Sequence, residues 1–148
     1  MTGNFDKWTA TLTFSSRDAT TGVLDVQIQA ASLRAESGTV SDMLKGKNFL
    51  DVEQDPVISF KTNKVVQTGK TTFDLVGTFT MRGVSKPTTL NLVIADETKT
   101  LGYVQGIVPF EYKDYGMTGN NRNDNRGEVD INLKVQQVSG PQLVRQRF

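Results

Sequence analysis

Apolar and polar residues alternate along most of the chain. Trp8, Ala10, Leu12 and Phe14 share one parity, with Thr9, Thr11 and Thr13 on the other. Leu24, Val26, Ile28 and Ala30 alternate in the same way with Asp25, Gln27 and Gln29. A period of two over such runs marks a strand with one buried face. The pattern returns at Ile58, Phe60 and Thr62, and at Phe73, Leu75, Phe79 and Met81. It returns again at Leu90, Leu92 and Ile94, at Val104, Val108, Phe110 and Tyr112, and at Val129, Ile131, Leu133 and Val135. Seven strands in antiparallel hairpin order follow, and the fold class is all-β.

The breaks in the pattern place the turns. Gly3 to Lys7 reads as a turn, Ser16 to Gly22 as a polar connection, and Thr68-Gly69-Lys70 and Asp96 to Leu101 as further reversals. The sharpest reversal lies between Arg82 and Pro87, where Gly83 supplies the positive φ of a tight turn. Pro87 lacks a ladder donor and is expected at the start of a strand; Pro109 predicts an edge position or a bulge. Gly77 interrupts an apolar face, which signals a bend or the close approach of another backbone. Alternation fails from Ala31 to Val52. Within that stretch Ser37 or Thr39 can cap a short helix that Gly46 stops, and Asn48 to Val52 is expected to add another helical turn. This segment reads as a plug that seals one end of a barrel. Asp55-Pro56 ends it.

Composition narrows the chemistry. The 148 residues suit one domain, here 1–138 with a basic, partly apolar tail at 139–148. A hydrophobic content of 36% fits a thin-walled barrel with one wet face. The net charge of +1 points to no nucleic acid. The chain has no Cys and no His, which removes thiol catalysis, Ser-His-Asp catalysis and His-based metal sites. The carboxylates are scattered, without a spacing that implies acid–base work. Asn121, Asn123 and Asn125 flank Asp124, but Arg126 stands where a calcium loop needs Gly, so an Asx-rich turn is expected. No metal, cofactor or catalysis is expected. No apolar run spans a membrane, and the opening residues lack the pattern of a signal peptide.

The run from Gly77 to Pro87, GTFTMRGVSKP, is similar to the G-x-(L/F)-T-(I/M)-x-G-V-(S/T)-K-P signature of the YceI-like family of polyisoprenoid- or lipid-binding domains. Pro56 to Val65 resembles the family's P-x-I-x-F-x-S-x-x-V, and Asp114-Tyr115-Gly116-Met117 its R-x-D-(F/Y)-G-(M/I). Asp42-Met43-Leu44 and Asn48-Phe49-Leu50-Asp51 resemble its R-D-x-H-L and D-F-F-D segments. Met43 stands where the family often has His, Leu50 replaces a second Phe, and Tyr112 occupies the position of the Arg. Roles tied to those residues are therefore not carried over. The resemblance runs from roughly residue 3 to 138 and starts at what looks like the family's second strand. It implies an antiparallel lipocalin-like barrel with seven strands visible of an expected eight. The gap would be filled by the tail, a second copy of the chain or upstream residues, since an open edge is an aggregation template. The family is typically exported, which implies a periplasmic or secreted setting.

The inward parity carries Trp8, Leu12, Phe14, Ile28, Phe60, Phe73, Leu75, Phe79, Leu92, Val108, Phe110, Ile131 and Leu133. Read alone, these residues either fill the barrel or line an apolar tunnel. The resemblance implies the tunnel, with a long isoprenoid or other lipid chain as ligand and no chemistry performed on it. Gly77 and Gly106, on the inward parity, would leave room in the bore. Arg82, Lys86 and Tyr112 are candidates for the ligand's polar head. A rival reading is a packed interaction domain completed by strand exchange with a partner, including a homodimer.

Overall fold

The structure is a computed structural model that describes residues 3–16, 18–94, 101–118 and 126–136. The Asx-rich loop at 119–125, the connection at 95–100 and the tail lie outside the described residues. The strands are β1 Gly3–Phe5, β2 Trp8–Phe14, β3 Gly22–Gln29, β4 Leu33–Ala35, β5 Val57–Gln67, β6 Thr72–Met81, β7 Val84–Ile94, β8 Leu101–Glu111 and β9 Arg126–Gln136. One α-helix, α1, spans Gly38–Lys45. The seven long strands form one antiparallel sheet in the order β2-β3-β5-β6-β7-β8-β9, curled into a half-barrel. These are the seven strands that alternation marks. The two short strands, β1 and β4, make a separate ribbon. Gly3 to Lys7 is thus not simply a turn: three residues are too few for a period of two to show.

Burial follows parity. Strand β6 alternates without a break, with Phe73, Leu75, Gly77, Phe79 and Met81 buried on the concave side. Phe60, Phe73, Leu75, Phe79, Leu90, Leu92 and Val104 are 0–2% exposed. No water-sized space touches side chains at that level. The hollow bore is therefore absent along these residues, because the aromatic and branched groups of facing strands fill the curl. Burying each such side chain contributes about 2 kcal/mol.

Two departures from regular pairing shape the sheet. Between Thr62 and Lys64 the β5–β6 register shifts, leaving Asn63 as an extra residue opposite Gly77 and Val76. A Cβ at Gly77 would stand 2.8 Å from Phe60 Cζ and 2.9 Å from the Lys61 carbonyl carbon. Gly77 is thus the close backbone approach at a bulge and opens no room in the bore. The Thr62 hydroxyl extends the β3–β5 ladder by accepting from the Leu24 N–H at 3.2 Å.

The reversal between β6 and β7 takes two residues. Met81 pairs with Val84, and Arg82 and Gly83 have φ of 52° and 73°. Two positive φ values make a type I′ turn, which matches the twist of the strands it joins. Strand β7 starts at once and runs through Pro87, which pairs with Thr78, so Pro87 lies inside the strand.

Ser37 caps α1, its hydroxyl accepting from the Val40 N–H at 3.2 Å. The chain leaves the helix at Gly46 in extended geometry. The second helical turn does not form: Asp51 adopts φ 50° and the segment folds as successive turns. No residue of α1 is buried, and Met43 is 44% exposed. Phe49, just beyond it, is buried, and Leu50 and Val52 pack on the core. The sealing is done by this following segment. Between β2 and β3, Asp18 accepts from the Thr20 N–H at 2.9 Å, which holds its carboxyl below the ordinary value.

Candidate ligand-binding site

The concave face gathers most of the expected lining. Ile28, Phe60, Phe73, Leu75, Phe79, Leu92, Val108, Ile131 and Leu133 are buried in one cluster, and Leu12, Phe14 and Phe110 pack half-buried against it. Trp8 departs from the set. It opens the edge strand β2, pairs with Ile28 on one side only and is 47% exposed. The cluster also holds Leu24, Val26, Ile58, Met81, Leu90, Val104 and Met117. All but Met117 share the parity that marks the strands. Met117 follows a turn and has no periodic signal.

The polar candidates sit at the end of the sheet marked by the β6–β7 turn. Arg82 donates from Nη1 to the carbonyls of Tyr115 at 3.1 Å and Gly116 at 2.7 Å, and from Nη2 to Lys47 at 2.7 Å. It ties the turn to the segment after α1 and to the 3-10 turn Tyr112–Tyr115. Both terminal nitrogens are thus engaged by backbone carbonyls. Its Nε is buried without a partner. Tyr112 does not continue β8 but opens the 3-10 turn. Its ring stands edge-on to Phe49 at 6.1 Å and Phe110 at 5.4 Å. Lys86 lines a concavity.

That concavity is a cleft of about 410 Å³ between β7 and β8, lined by Lys86, Pro87, Thr89, Ile107, Pro109 and Phe110 among others. The β7–β8 ladder spans only Asn91↔Gln105 to Ile94↔Gly102. Continuing its register puts Thr89 opposite Ile107, and Pro87 opposite Pro109. The turn fixes which backbone groups face the cleft. In a two-residue hairpin the closing pair, Met81↔Val84, is hydrogen-bonded, and bonded pairs then alternate with non-bonded ones. Thr78↔Pro87 is therefore non-bonded, and Pro87 turns its nitrogen away from β6 towards β8. The rung it would share with Pro109 lacks both donors. The expected edge character of Pro109 is met locally, on the side that faces the cleft, while β9 pairs it with Glu128 on the other.

The cleft reaches the core through Val108, Phe110 and Tyr115. The Phe110 ring packs edge-on to Tyr115 at 5.7 Å and over Gly127, where a Cβ would meet its Cζ at 2.6 Å. Gly106 opens no bore either, since Leu90 Cδ2 occupies the space above it. Burial of Tyr115, and next the neighbouring Asp114 carboxylate, push its phenol above the ordinary value. Two prolines at matched register were the sequence signal for this cleft.

Among the described residues no group of three carboxylates forms a metal site, and no helix is long and apolar enough to cross a membrane. The arrangement is a buried apolar cluster on the concave face, reached at one edge by a cleft with polar and charged residues in its lining.

Similarity to known proteins agrees with the geometry. The UPF0312 protein of Pseudomonas savastanoi pv. phaseolicola is 27% identical over 137 residues, covering 89% of this chain and 71% of the relative. The UPF0312 protein of Azotobacter vinelandii is 25% identical over 141 residues, covering 92% and 73%. Burkholderia cenocepacia BcnA superposes with a TM-score of 0.77 at 19% identity, over 90% of this chain and 87% of that one. A polyisoprenoid binding domain from Saccharophagus degradans, described as implicated in plant cell wall breakdown, superposes with a TM-score of 0.68 at 16% identity, over 90% and 84%. The match to the family model spans residues 1–137, and the chain belongs to the YceI-like domain family.

Proposed function

We propose that the protein binds a long-chain isoprenoid or other amphiphilic lipid on its concave face and carries or sequesters it without chemical change. The observation that carries this reading is the continuous apolar surface of the curled sheet, from Phe60 through Phe73 and Phe79 to Ile131 and Leu133. Each methylene moved from water onto such a surface contributes about 0.8 kcal/mol, so a chain of many carbons binds without a catalytic or charged group. Because the side chains fill the curl, the ligand takes its place by displacing them, and the liganded sheet is wider. The polyisoprenoid-binding structural neighbour supports the ligand class. A periplasmic or secreted setting is part of the proposal, since carriage of a lipid is needed where water separates two membranes.

Native mass spectrometry of protein purified without detergent, followed by organic extraction, tests the reading. The expected result is a stoichiometric apolar adduct. A bare protein that also fails to take up added polyprenol overturns it.

A second reading has its own observation. Among the described residues no ladder joins β2 to β9, so each offers an edge to a further strand. Strand addition by a second copy would complete the barrel. Sedimentation that shows a monomer at all concentrations excludes it.

A further inference from the structure

We propose that the cleft between β7 and β8 is the lateral passage and head-group site for the bound amphiphile, and that the head it takes is uncharged. This rests on the lipid-binding reading above. The ladders on either side of the cleft are continuous: β6–β7 pairs from Thr72↔Val93 to Met81↔Val84, and β8–β9 from Leu101↔Gln136 to Glu111↔Arg126. Between them β7 and β8 separate after Asn91↔Gln105, so parting them further breaks no ladder bond. The volume of about 410 Å³ falls within the range of small-molecule sites, about 300–1,000 Å³. Val108, Phe110 and Tyr115 line the cleft and also belong to the core or pack on it, which makes one apolar surface from the opening inward.

The paired prolines decide the occupant. An extended peptide inserted between β7 and β8 would meet no donor at Pro87 or Pro109, which leaves the inserted strand short of partners on both sides. A hydrocarbon chain needs none. Charge decides the head. Lys86 and Asp114 line the same cleft with opposite signs. The turn parity aims the carbonyls of Pro87 and Thr89 into it, and the Thr89 N–H as well. A hydroxyl or amide can donate to these carbonyls and accept from Lys86 or the N–H. A phosphate or carboxylate would meet Asp114 and several carbonyl oxygens.

The test joins the two lips of the cleft. The chain has no Cys, so Thr89→Cys with Ile107→Cys gives one reactive pair, at exposed positions whose register sets them opposite each other. A short bis-maleimide bridges them. Uptake of a polyene fatty alcohol, followed by its fluorescence gain in an apolar medium, is measured before and after bridging. The on-rate is expected to fall about ten-fold, as when the competent conformer drops to a tenth. The alcohol is expected to bind more tightly than the acid of equal chain length. Equal on-rates in the bridged and open protein overturn the passage, and tighter binding of the acid overturns the head-group assignment. If the open protein binds neither probe, the lipid-binding reading falls and the passage with it.

Discussion

The Arg82 guanidinium donates to the Gly116 carbonyl at 2.7 Å, and Gly116 has no Cβ that would stand 2.5 Å from Nη1. Gly116 also sits at φ 72°, which glycine takes without cost. One residue thus meets two demands, a left-handed turn and the close seat of a cation. Arg82 itself holds φ 52°, a conformation that costs a side-chain-bearing residue about 1 kcal/mol. Its three charge-assisted bonds to two separate segments offset that cost. Arg82→Ala is expected to lower stability by about 2 kcal/mol, since each lost bond of a charged donor counts for more than a neutral one. Arg82→Lys is expected to recover less than half, because an ammonium lacks the planar fork that reaches carbonyls on two sides. Urea denaturation of the three proteins checks both; a lysine variant as stable as the parent would show that charge alone suffices.

Pro87→Thr with Pro109→Thr restores both missing donors on the facing edges of β7 and β8. The ladder is expected to extend past Asn91↔Gln105 towards the turn. Amide exchange at Thr89 and Ile107 is expected to slow, and uptake of an amphiphile with it. Either single replacement leaves one proline on the rung and is expected to give a smaller effect. Unchanged exchange at Thr89 in the double variant would mean that something other than the prolines holds the strands apart.

The architecture was legible because alternation survives over much of every long strand, with one change of phase at the Asn63 bulge of β5. Its source is physical: a sheet with one dry face requires the same parity on each strand. Features carried by few residues were hidden. β1 and β4 are three residues each, below the length at which a period can be seen. The fate of Tyr112 and Arg82 depends on residues distant in sequence, since Arg82 closes on Lys47 and on the carbonyls of Tyr115 and Gly116. Parity says which side chains face inward, but it does not say whether they leave a space. The cleft needed one further step, the β7–β8 register, before Pro87 and Pro109 could be set against each other.

Gly77→Ala tests the bulge. The added methyl would press on the Lys61 backbone and on the Phe60 ring, neither of which is the free end of a flexible chain. Overpacking at such a point costs about 1–3 kcal/mol. The melting temperature is expected to fall, with near-ultraviolet dichroism of the Phe60 and Phe79 cluster altered. Deleting Asn63, the extra residue of the bulge, in the same chain would restore a regular register but flip the parity of β5 on one side, so it is not expected to rescue. A fully stable Gly77→Ala protein would show that β5 can move away from β6 at no cost.

Tyr115 supplies an alkaline limb. Burial and then Asp114 raise its phenol above the ordinary 10.0, so the folded protein holds this proton more tightly than the unfolded chain does. A folded value raised in this way contributes stability that is fully present below pH 10 and lost as the pH climbs through the folded value. Tyr115→Phe removes the titrating group, and its stability is expected to stay flatter over about pH 9–11 than the parent's. The same ionisation bears on the cleft, which Tyr115 lines. A phenolate there is better solvated when β7 and β8 part, so amphiphile uptake by the parent is expected to quicken in this range while that of Tyr115→Phe does not. Phenolate absorbance of parent and variant, titrated together with uptake rate, separates this effect from general alkaline unfolding. Uptake that quickens equally in both proteins would remove Tyr115 from any part in opening the cleft.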